Sequence, residues 1–370
     1  MQQGVSFKES RKQARAVGET STWEIDEEDA TTVSSIQGTT PNSDDEQGLA
    51  AVPQIHFNPD STRRITLNIA GFDVGAAFRR LQEEAVPFIN DESLKVSVKK
   101  VYLMLSANSI WDISERLPGM PADTHRSILS EIKPAVVRLS SKHTCLFLDL
   151  SYEFATTCRV RSRALETDEE EELLLLFLDL SKKLPSVALL SVADNEDTYS
   201  HGALDSLLSF FFPASDSDYH LWWANRPSIG SRERRGVREA NKPDVTIMKE
   251  QFDVAFAEIK APKDDGSIRL YIQDKWALTS LAKDTIDLHL RERRTITSIY
   301  CLQVFGYKLT VYELRFQAGL YMWTEIGTGY LPRDKNDTHC LIRCMELLKT
   351  LRVILILYSM ITNTTWDSRL

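Results

Sequence analysis

Two short apolar runs, Val245–Met248 and Phe252–Lys260, are separated by only three residues. Runs of this length joined by so short a turn predict a pair of neighbouring β-strands. Because side chains alternate between the two faces of a strand, Glu258 and Lys260 point the same way. Asp244 immediately precedes the first run, so the hairpin brings it beside Glu258. The sequence therefore predicts two carboxylates and one ammonium group at a single point on a sheet edge.

These three residue types suit metal-assisted hydrolysis of a phosphodiester. Carboxylates such as those of Asp244 and Glu258 are the hard oxygen ligands that bind Mg²⁺, and the same pair would accept Mn²⁺. The metal lowers the pKa of a bound water and offsets negative charge on the phosphate. The ammonium group of Lys260 can stabilise the reacting phosphate or position the attacking water.

The combination of Pro243-Asp244 with Glu258-Ile259-Lys260 resembles the signature of the PD-(D/E)XK nuclease superfamily, which has a restriction-endonuclease-like fold. The resemblance covers roughly residues 191–327, a little over a third of the chain. The wider arrangement is also similar to a group of uncharacterised fungal proteins that carry this core.

The resemblance implies an α/β fold with a mixed central sheet flanked by helices, whose core runs helix, strand, strand, strand, helix, strand. Amphipathic spacing predicts the first helix over 195–212 and the second over 269–292, followed by a strand over 299–305. Many superfamily members carry an additional metal ligand on the first helix, and Glu196 is the matching position. Others use a Gln downstream of the Lys, which makes Gln303 a further catalytic candidate. Both positions also have an ordinary interpretation, as a first-turn acid and as a buried polar group with a structural partner.

A basic segment precedes the carboxylates and could contact a phosphate backbone. Its candidate nucleic-acid-binding residues are Arg232, Arg234, Arg235, Arg238 and Lys242, with Lys275 added from the following helix. A solvated loop and a solvated helix lysine are the alternative interpretations. Trp222 and Trp223 could stack on bases or anchor the core. The implied substrate is nucleic acid, with DNA favoured over RNA.

The motif letters also occur at a second place in the chain. Pro59-Asp60 and Glu131-Ile132-Lys133 match, but they lie some 70 residues apart. The second group sits in a stretch with helical spacing, where a Glu and a Lys two residues apart do not share a face. We therefore assign Glu131 and Lys133 to a surface helix.

The net charge of −9 is concentrated near the N-terminus. Residues 1–60 carry four basic and eleven acidic side chains, so the rest of the chain is close to neutral. We interpret residues 1–61 as a disordered acidic tail that could bind a protein partner. Residues 62–189 form an N-terminal accessory α/β region, 190–335 the nuclease-like domain and 336–370 a C-terminal helix packed on the core.

The sequence indicates an intracellular protein, nuclear or cytoplasmic, without a membrane segment. The first residues lack the apolar region of a secretory signal, and the longest apolar runs are far below the roughly 20 residues that span a bilayer. Five cysteines form an odd count without regular spacing, which argues against a disulfide framework. The oligomeric state stays open, although many superfamily nucleases work as homodimers.

The sequence is therefore compatible with three functions. The first is a metal-dependent nuclease, and the second is a catalytically inactive nuclease-fold protein that binds nucleic acid or protein. The third is a structural ion cluster with chance motif spacing, which predicts that the carboxylates of Asp244 and Glu258 lie more than about 8 Å apart, beyond the reach of a shared metal site.

Overall fold

The computed structural model of the chain describes residues 65–89 except 66 and 70, then 101–157, 167–185, 204–214, 218–223, 226–236, 240–264 and 267–366. The strands within these ranges are β1 (Asn68–Ile69), β2 (Phe72–Asp73), β3 (Ile110–Asp112), β4 (Tyr219–Trp223), β5 (Val245–Lys249), β6 (Phe252–Lys260), β7 (Ser298–Phe305), β8 (Lys308–Gln317) and β9 (Leu320–Tyr330). The helices are α1 (Val74–Ile89), α2 (Val101–Ala107), α3 (Ala122–Ile132), α4 (Ser141–Thr157), α5 (Asp168–Lys183), α6 (Asp205–Phe211), α7 (Ile229–Arg235), α8 (Ile268–Arg291) and α9 (Leu341–Trp366).

Seven strands form one mixed sheet in the order β3-β9-β8-β7-β6-β5-β4. Strand β5 is antiparallel to both β4 and β6, whereas β6 and β7 run parallel. A parallel pair needs a long crossover connection, and α8 provides it. The structure confirms the predicted α/β architecture with a mixed central sheet and flanking helices.

Different helices cover the two faces of the sheet. On one face, Phe256 and Cys301 pack with residues of α8, among them Leu278. On the other face, Ala257 and Leu302 belong to a larger cluster that includes side chains of α4, α5, α6 and α9. Because Phe256 faces α8, the alternation of side chains along β6 directs Glu258 and Lys260 toward α8 as well.

Most elements with a strong local sequence pattern begin and end close to their predicted bounds. Strand β6 begins and ends as predicted, and α8 is displaced by one residue from the predicted 269–292. Helix α5 begins after Thr167, whose side chain accepts a hydrogen bond from the Glu170 backbone N–H at 3.3 Å. This capping interaction satisfies an otherwise unpaired donor of the first turn. Residues 204–212 of the helix predicted over 195–212 fall within the described residues, and α6 spans Asp205–Phe211.

The N-terminal half of the chain contributes directly to the sheet. Strand β3 lies at one end of the sheet and pairs in parallel with β9, with Ile110 opposite Tyr321. Trp111 is fully buried in a cluster with Phe78 of α1 and Met322 of β9. The described residues from 65 onward therefore belong to one compact unit. The predicted acidic tail, residues 1–61, lies outside the described residues. Among the helices that are described, none is both long and apolar enough to cross a membrane.

Candidate functional site

Strand register aligns three of the predicted site residues in one row. Val245 lies opposite Ala257 in the antiparallel pair, so the next step of the register places Asp244 opposite Glu258. On the other side of β6, Glu258 is paired with Gln303 of β7. The row crosses three adjacent strands beneath α8.

The carboxyl groups of Asp244 and Glu258 are in direct contact. The pKa of Glu258 lies well above its ordinary value, first because of burial and then because the negative charges of Asp244 and Asp274 oppose its ionisation, while Lys260 acts in the other direction. A hydrogen bond to Asp244 also favours the protonated form. Asp244 is fixed by a second interaction, because its Oδ2 accepts a hydrogen bond from the Ile259 backbone N–H at 2.7 Å. The large separation expected of a chance ion cluster is thus not found.

Lys260 is held at the same place by its own strand and by α8. Its Nζ donates to the Ile259 carbonyl at 2.9 Å and lies 3.6 Å from Oδ1 of Asp274. The side chains of Lys260 and Asp274 are 16% and 7% exposed, so little water screens their attraction. Sequence reasoning did not identify Asp274, which adds a third carboxylate beside Glu258. Its signal was an acidic side chain on an otherwise apolar face of the predicted helix, four residues before Leu278 and seven before Leu281.

Gln303 is buried, and both ends of its amide have partners. Its Nε2 donates to the Tyr271 carbonyl at 3.0 Å, and its Oε1 accepts from the Tyr312 hydroxyl at 3.5 Å. The Tyr271 and Tyr312 hydroxyls approach each other at 3.4 Å. These contacts satisfy the polar group inside an apolar strand, as buried polar groups require. Gln303 therefore lies beside Glu258 and links β7 to α8.

Lys275 does not face solvent, in contrast to its proposed contact with nucleic acid. Its Nζ lies 2.8 Å from Oδ2 of Asp112 on β3, and the two side chains are 13% and 6% exposed. Asp112 raises the pKa of Lys275 against the lowering effect of burial. The ammonium group also lies 5.8 Å from the centre of the Tyr312 ring. This ion pair connects α8 to the end strand of the sheet, a connection that no sequence pattern revealed.

The basic segment packs farther along α8 than the carboxylates. Gly230 of α7 lies so close to α8 that an added Cβ would be 2.7 Å from the backbone of Thr285. Arg234 pairs with the buried carboxylate of Asp284. Since Asp284 is ten residues beyond Asp274, the rise of an α-helix separates them by about 15 Å. The ion pair between Arg234 and Asp284 therefore links α7 to α8.

The other predicted basic residues are distributed as follows. Arg232 is exposed on α7, Lys242 is exposed two residues before Asp244, and Arg235 ends α7. Glu196 and Arg238 lie outside the described residues.

The two tryptophans of β4 have different environments. Trp222 is 50% exposed, with the Arg226 guanidinium 5.1 Å from the centre of its ring. Trp223 is partly buried against the larger hydrophobic cluster. Alternation along the strand thus separates the pair into one surface and one core residue.

The second set of motif letters behaves as predicted. Glu131 and Ile132 end α3, and Lys133 caps it through its backbone N–H. Glu131 and Lys133 are exposed, while Ile132 is buried. The same three letters therefore form a surface helix end at one place and a carboxylate–lysine site at another.

The donor set fits a small divalent cation. Mg²⁺ is usually bound through one or two carboxylates together with several waters. Asp244 and Glu258 provide such a pair, and a bound cation would offset the negative charge that Asp244 places beside Glu258. Within the described ranges, no cluster of three or more His, Cys, Asp or Glu side chains has the arrangement of a metal centre. A carboxylate pair of this kind would leave the remaining ligand positions of Mg²⁺ to waters.

Comparisons of the chain with protein-family models, curated proteins and solved structures gave no match.

Proposed function

We propose that the protein is a metal-dependent nuclease that hydrolyses phosphodiester bonds of nucleic acid. The observation that carries this proposal is the contact between the carboxyl groups of Asp244 and Glu258, with Lys260 held beside them on the same face of β6. This combination provides cation ligands and a fixed positive charge within one site. Those are the two elements that phosphodiester hydrolysis requires of a protein.

The order of elements supports a restriction-endonuclease-like core. Helix α6 is followed by β4, the short helix α7, β5 and β6, then by α8 and β7. Apart from α7, which is inserted between β4 and β5, this is the helix, strand, strand, strand, helix, strand order implied by the PD-(D/E)XK resemblance. The motif residues also occupy the strands that the resemblance assigns to them, with Asp244 before β5 and Glu258 and Lys260 on β6.

In the mechanism, Asp244 and Glu258 would hold Mg²⁺ or Mn²⁺. When bound, the cation would supply an activated water and offset the charge of the phosphate. Lys260 orients the attacking water or the scissile phosphate, since its ammonium is fixed by the Ile259 carbonyl and Asp274. Asp274 and Gln303 act as positioning residues, because they hold Lys260 and the strand beside Glu258.

A second candidate is a catalytically inactive module that binds nucleic acid or protein. The burial of Lys260 against Asp274 favours it, because an ammonium fully used by protein partners contributes less to a substrate. Calorimetry separates the two candidates: a folded protein that binds neither Mg²⁺ nor Mn²⁺ supports the inactive module.

The nuclease proposal is tested by incubating purified full-length protein with labelled DNA and RNA in Mg²⁺. We expect cleavage, and a loss of at least about a hundredfold in Lys260→Met, since removal of one transition-state donor costs this much in other enzymes. Lys133→Met, which alters the exposed copy of the motif, is the matched control and should cleave normally. Equal cleavage by wild type, Asp244→Asn and Lys260→Met would refute the proposal.

A further inference from the structure

A second row of paired residues lies one step beyond the carboxylate row. Lys260 is paired with Phe305, Phe305 with Lys308, and Lys308 with Tyr330. Residues two positions apart on a strand share a face, so this row lies on the same side of the sheet as Glu258 and Gln303. It crosses four strands, which is about 14 Å at the usual strand spacing. We call these four residues the aromatic–basic row.

The row borders a cavity of about 820 Å³ at the beginning of α8. Its lining includes Phe305, Lys308 and Tyr330 of the row, together with Tyr271, Tyr307 and Arg333. Tyr330 is 56% exposed, so the cavity opens to solvent. The cavity lies at the carboxyl ends of the parallel strands β6 and β7, the usual position of ligand sites in open α/β sheets.

The cavity and the carboxylate site share a wall. Tyr271 lines the cavity with its side chain, and its backbone carbonyl accepts the hydrogen bond from Gln303. Its ring meets that of Phe305 edge to face, with centroids 5.7 Å apart. The backbone N–H of Gly306 donates to the Lys260 carbonyl at 3.1 Å, which fixes the β7–β8 turn beside the end of β6. A ligand in the cavity would therefore lie next to the reacting groups.

The lining combines flat aromatic rings with cationic side chains. Tyr307 and Tyr330 line the cavity, Lys308 is exposed, and Arg333 is 60% exposed while paired with Asp337. Proteins that bind single-stranded nucleic acid use this combination, because bases stack on the rings and cations track the phosphates. A four-strand sheet surface with aromatic side chains accommodates about two or three bases in other folds.

We infer that this cavity binds unpaired bases of a single-stranded nucleic acid whose scissile phosphate lies at Asp244 and Glu258. The inference rests on the proposed nuclease function and specifies its substrate class as single strands, or single-stranded segments of a larger nucleic acid. In an intact duplex, the bases are stacked on their neighbours and paired, so they cannot present their faces to Tyr307 and Tyr330. The cavity thus selects strands that are already unpaired.

The test measures binding apart from cleavage. Full-length protein is titrated, in EDTA, into a fluorescent single-stranded oligonucleotide and into the blunt duplex of the same sequence. We expect at least tenfold tighter binding of the single strand, and about tenfold weaker single-strand binding by Tyr330→Ala, as for the loss of one stacked base. Lys308→Ala should reduce the slope of log K against log salt by about 0.7, the value for one phosphate contact on a single strand.

Tyr152→Ala is the matched control, because Tyr152 is 64% exposed on α4, which packs on the other face of the sheet. It should bind like the wild type. Equal affinities for single strand and duplex, or unchanged single-strand binding by Tyr330→Ala, would overturn the inference even if the protein cleaves duplex in Mg²⁺. Selective single-strand binding without cleavage in Mg²⁺ or Mn²⁺ would retain the inference and refute the nuclease proposal.

Discussion

Asp244 immediately precedes β5 and lies opposite Glu258 of the antiparallel strand β6, which makes the two carboxyl groups neighbours. Folding brings these two acids together although they are fourteen positions apart in the sequence. Burial opposes the ionisation of Glu258 most, and the negative charge of Asp244 opposes it further. A proton on Glu258, or a cation bound to both side chains, would relieve the repulsion between the two carboxylates.

We expect Glu258→Gln to abolish nuclease activity and to stabilise the fold at pH 7. In the folded state the pKa of Glu258 is raised above its ordinary value of about 4.5. The free energy of unfolding of the wild type therefore decreases as the pH rises from 4.5 toward the raised pKa. The amide carries no such penalty and should add about 1 kcal/mol or more to the free energy of unfolding. Urea denaturation at several pH values measures the difference.

The stability difference should vanish below pH 4, where Glu258 is protonated in both the folded and unfolded states. Glu131→Gln, at the exposed end of α3, is the control and should leave stability unchanged within about 0.5 kcal/mol. A Glu258→Gln variant less stable than the wild type at pH 7 would contradict the proposed repulsion.

Cation binding should release a proton. Because Glu258 is protonated below its raised pKa, Mg²⁺ must displace that proton before it can bind both carboxylates. Titration calorimetry in two buffers with different ionisation enthalpies should show proton release on cation binding at pH values between about 4.5 and the raised pKa of Glu258. The affinity should rise with pH until Glu258 is ionised in the free protein. Binding without proton release in that range would indicate that the ion avoids Glu258.

Lys275→Met should destabilise the protein by about 3–5 kcal/mol, because it leaves the buried carboxylate of Asp112 without its partner. The double variant Asp112→Asn/Lys275→Met should recover part of this loss. Denaturant unfolding of the four proteins in the cycle gives the coupling. A Lys275→Met protein of normal stability with a reduced salt slope for oligonucleotide binding would instead support a phosphate contact.

Gly230→Ala should destabilise the contact between α7 and α8 by about 1–3 kcal/mol, the usual cost of overpacking. An alanine Cβ would come within 2.8 Å of three backbone atoms of Asp284 and Thr285, which cannot move aside as a flexible side chain could. Gly236→Ala is not a suitable control, because Gly236 has a φ of 81° and would be strained for a different reason. Ser209→Ala, on α6, alters an exposed hydrogen bond and should cost less than about 0.5 kcal/mol. Thermal unfolding compares the three proteins.

The local part of the site was predictable, because strand alternation and a short turn determine which side chains share a face. That reasoning placed Asp244, Glu258 and Lys260 together. The contributions of α8 were not predictable, because they depend on which face of the helix meets the sheet. Asp274 and Lys275 are adjacent in sequence, yet one faces Lys260 and the other reaches Asp112 on a distant strand.

The N-terminal half was hard to interpret for a related reason. Strand β3 has only three residues, Ile110–Asp112, too few for a periodic pattern, and all three are buried. Its place in the sheet is determined by pairing with β9 and by the burial of Trp111. Sequence analysis assigned no element there because these partners lie far away along the chain.

The pairing of β3 with β9 has a consequence for how the chain folds. Ile110 meets Tyr321 across a loop of about 210 residues, and contacts between residues so distant in sequence form slowly. During synthesis, β3 emerges long before β9 exists. Trp111 and its neighbours can therefore be buried only after β9, the last strand of the sheet, has been synthesised. We expect the docking of this N-terminal segment to be a late step of folding.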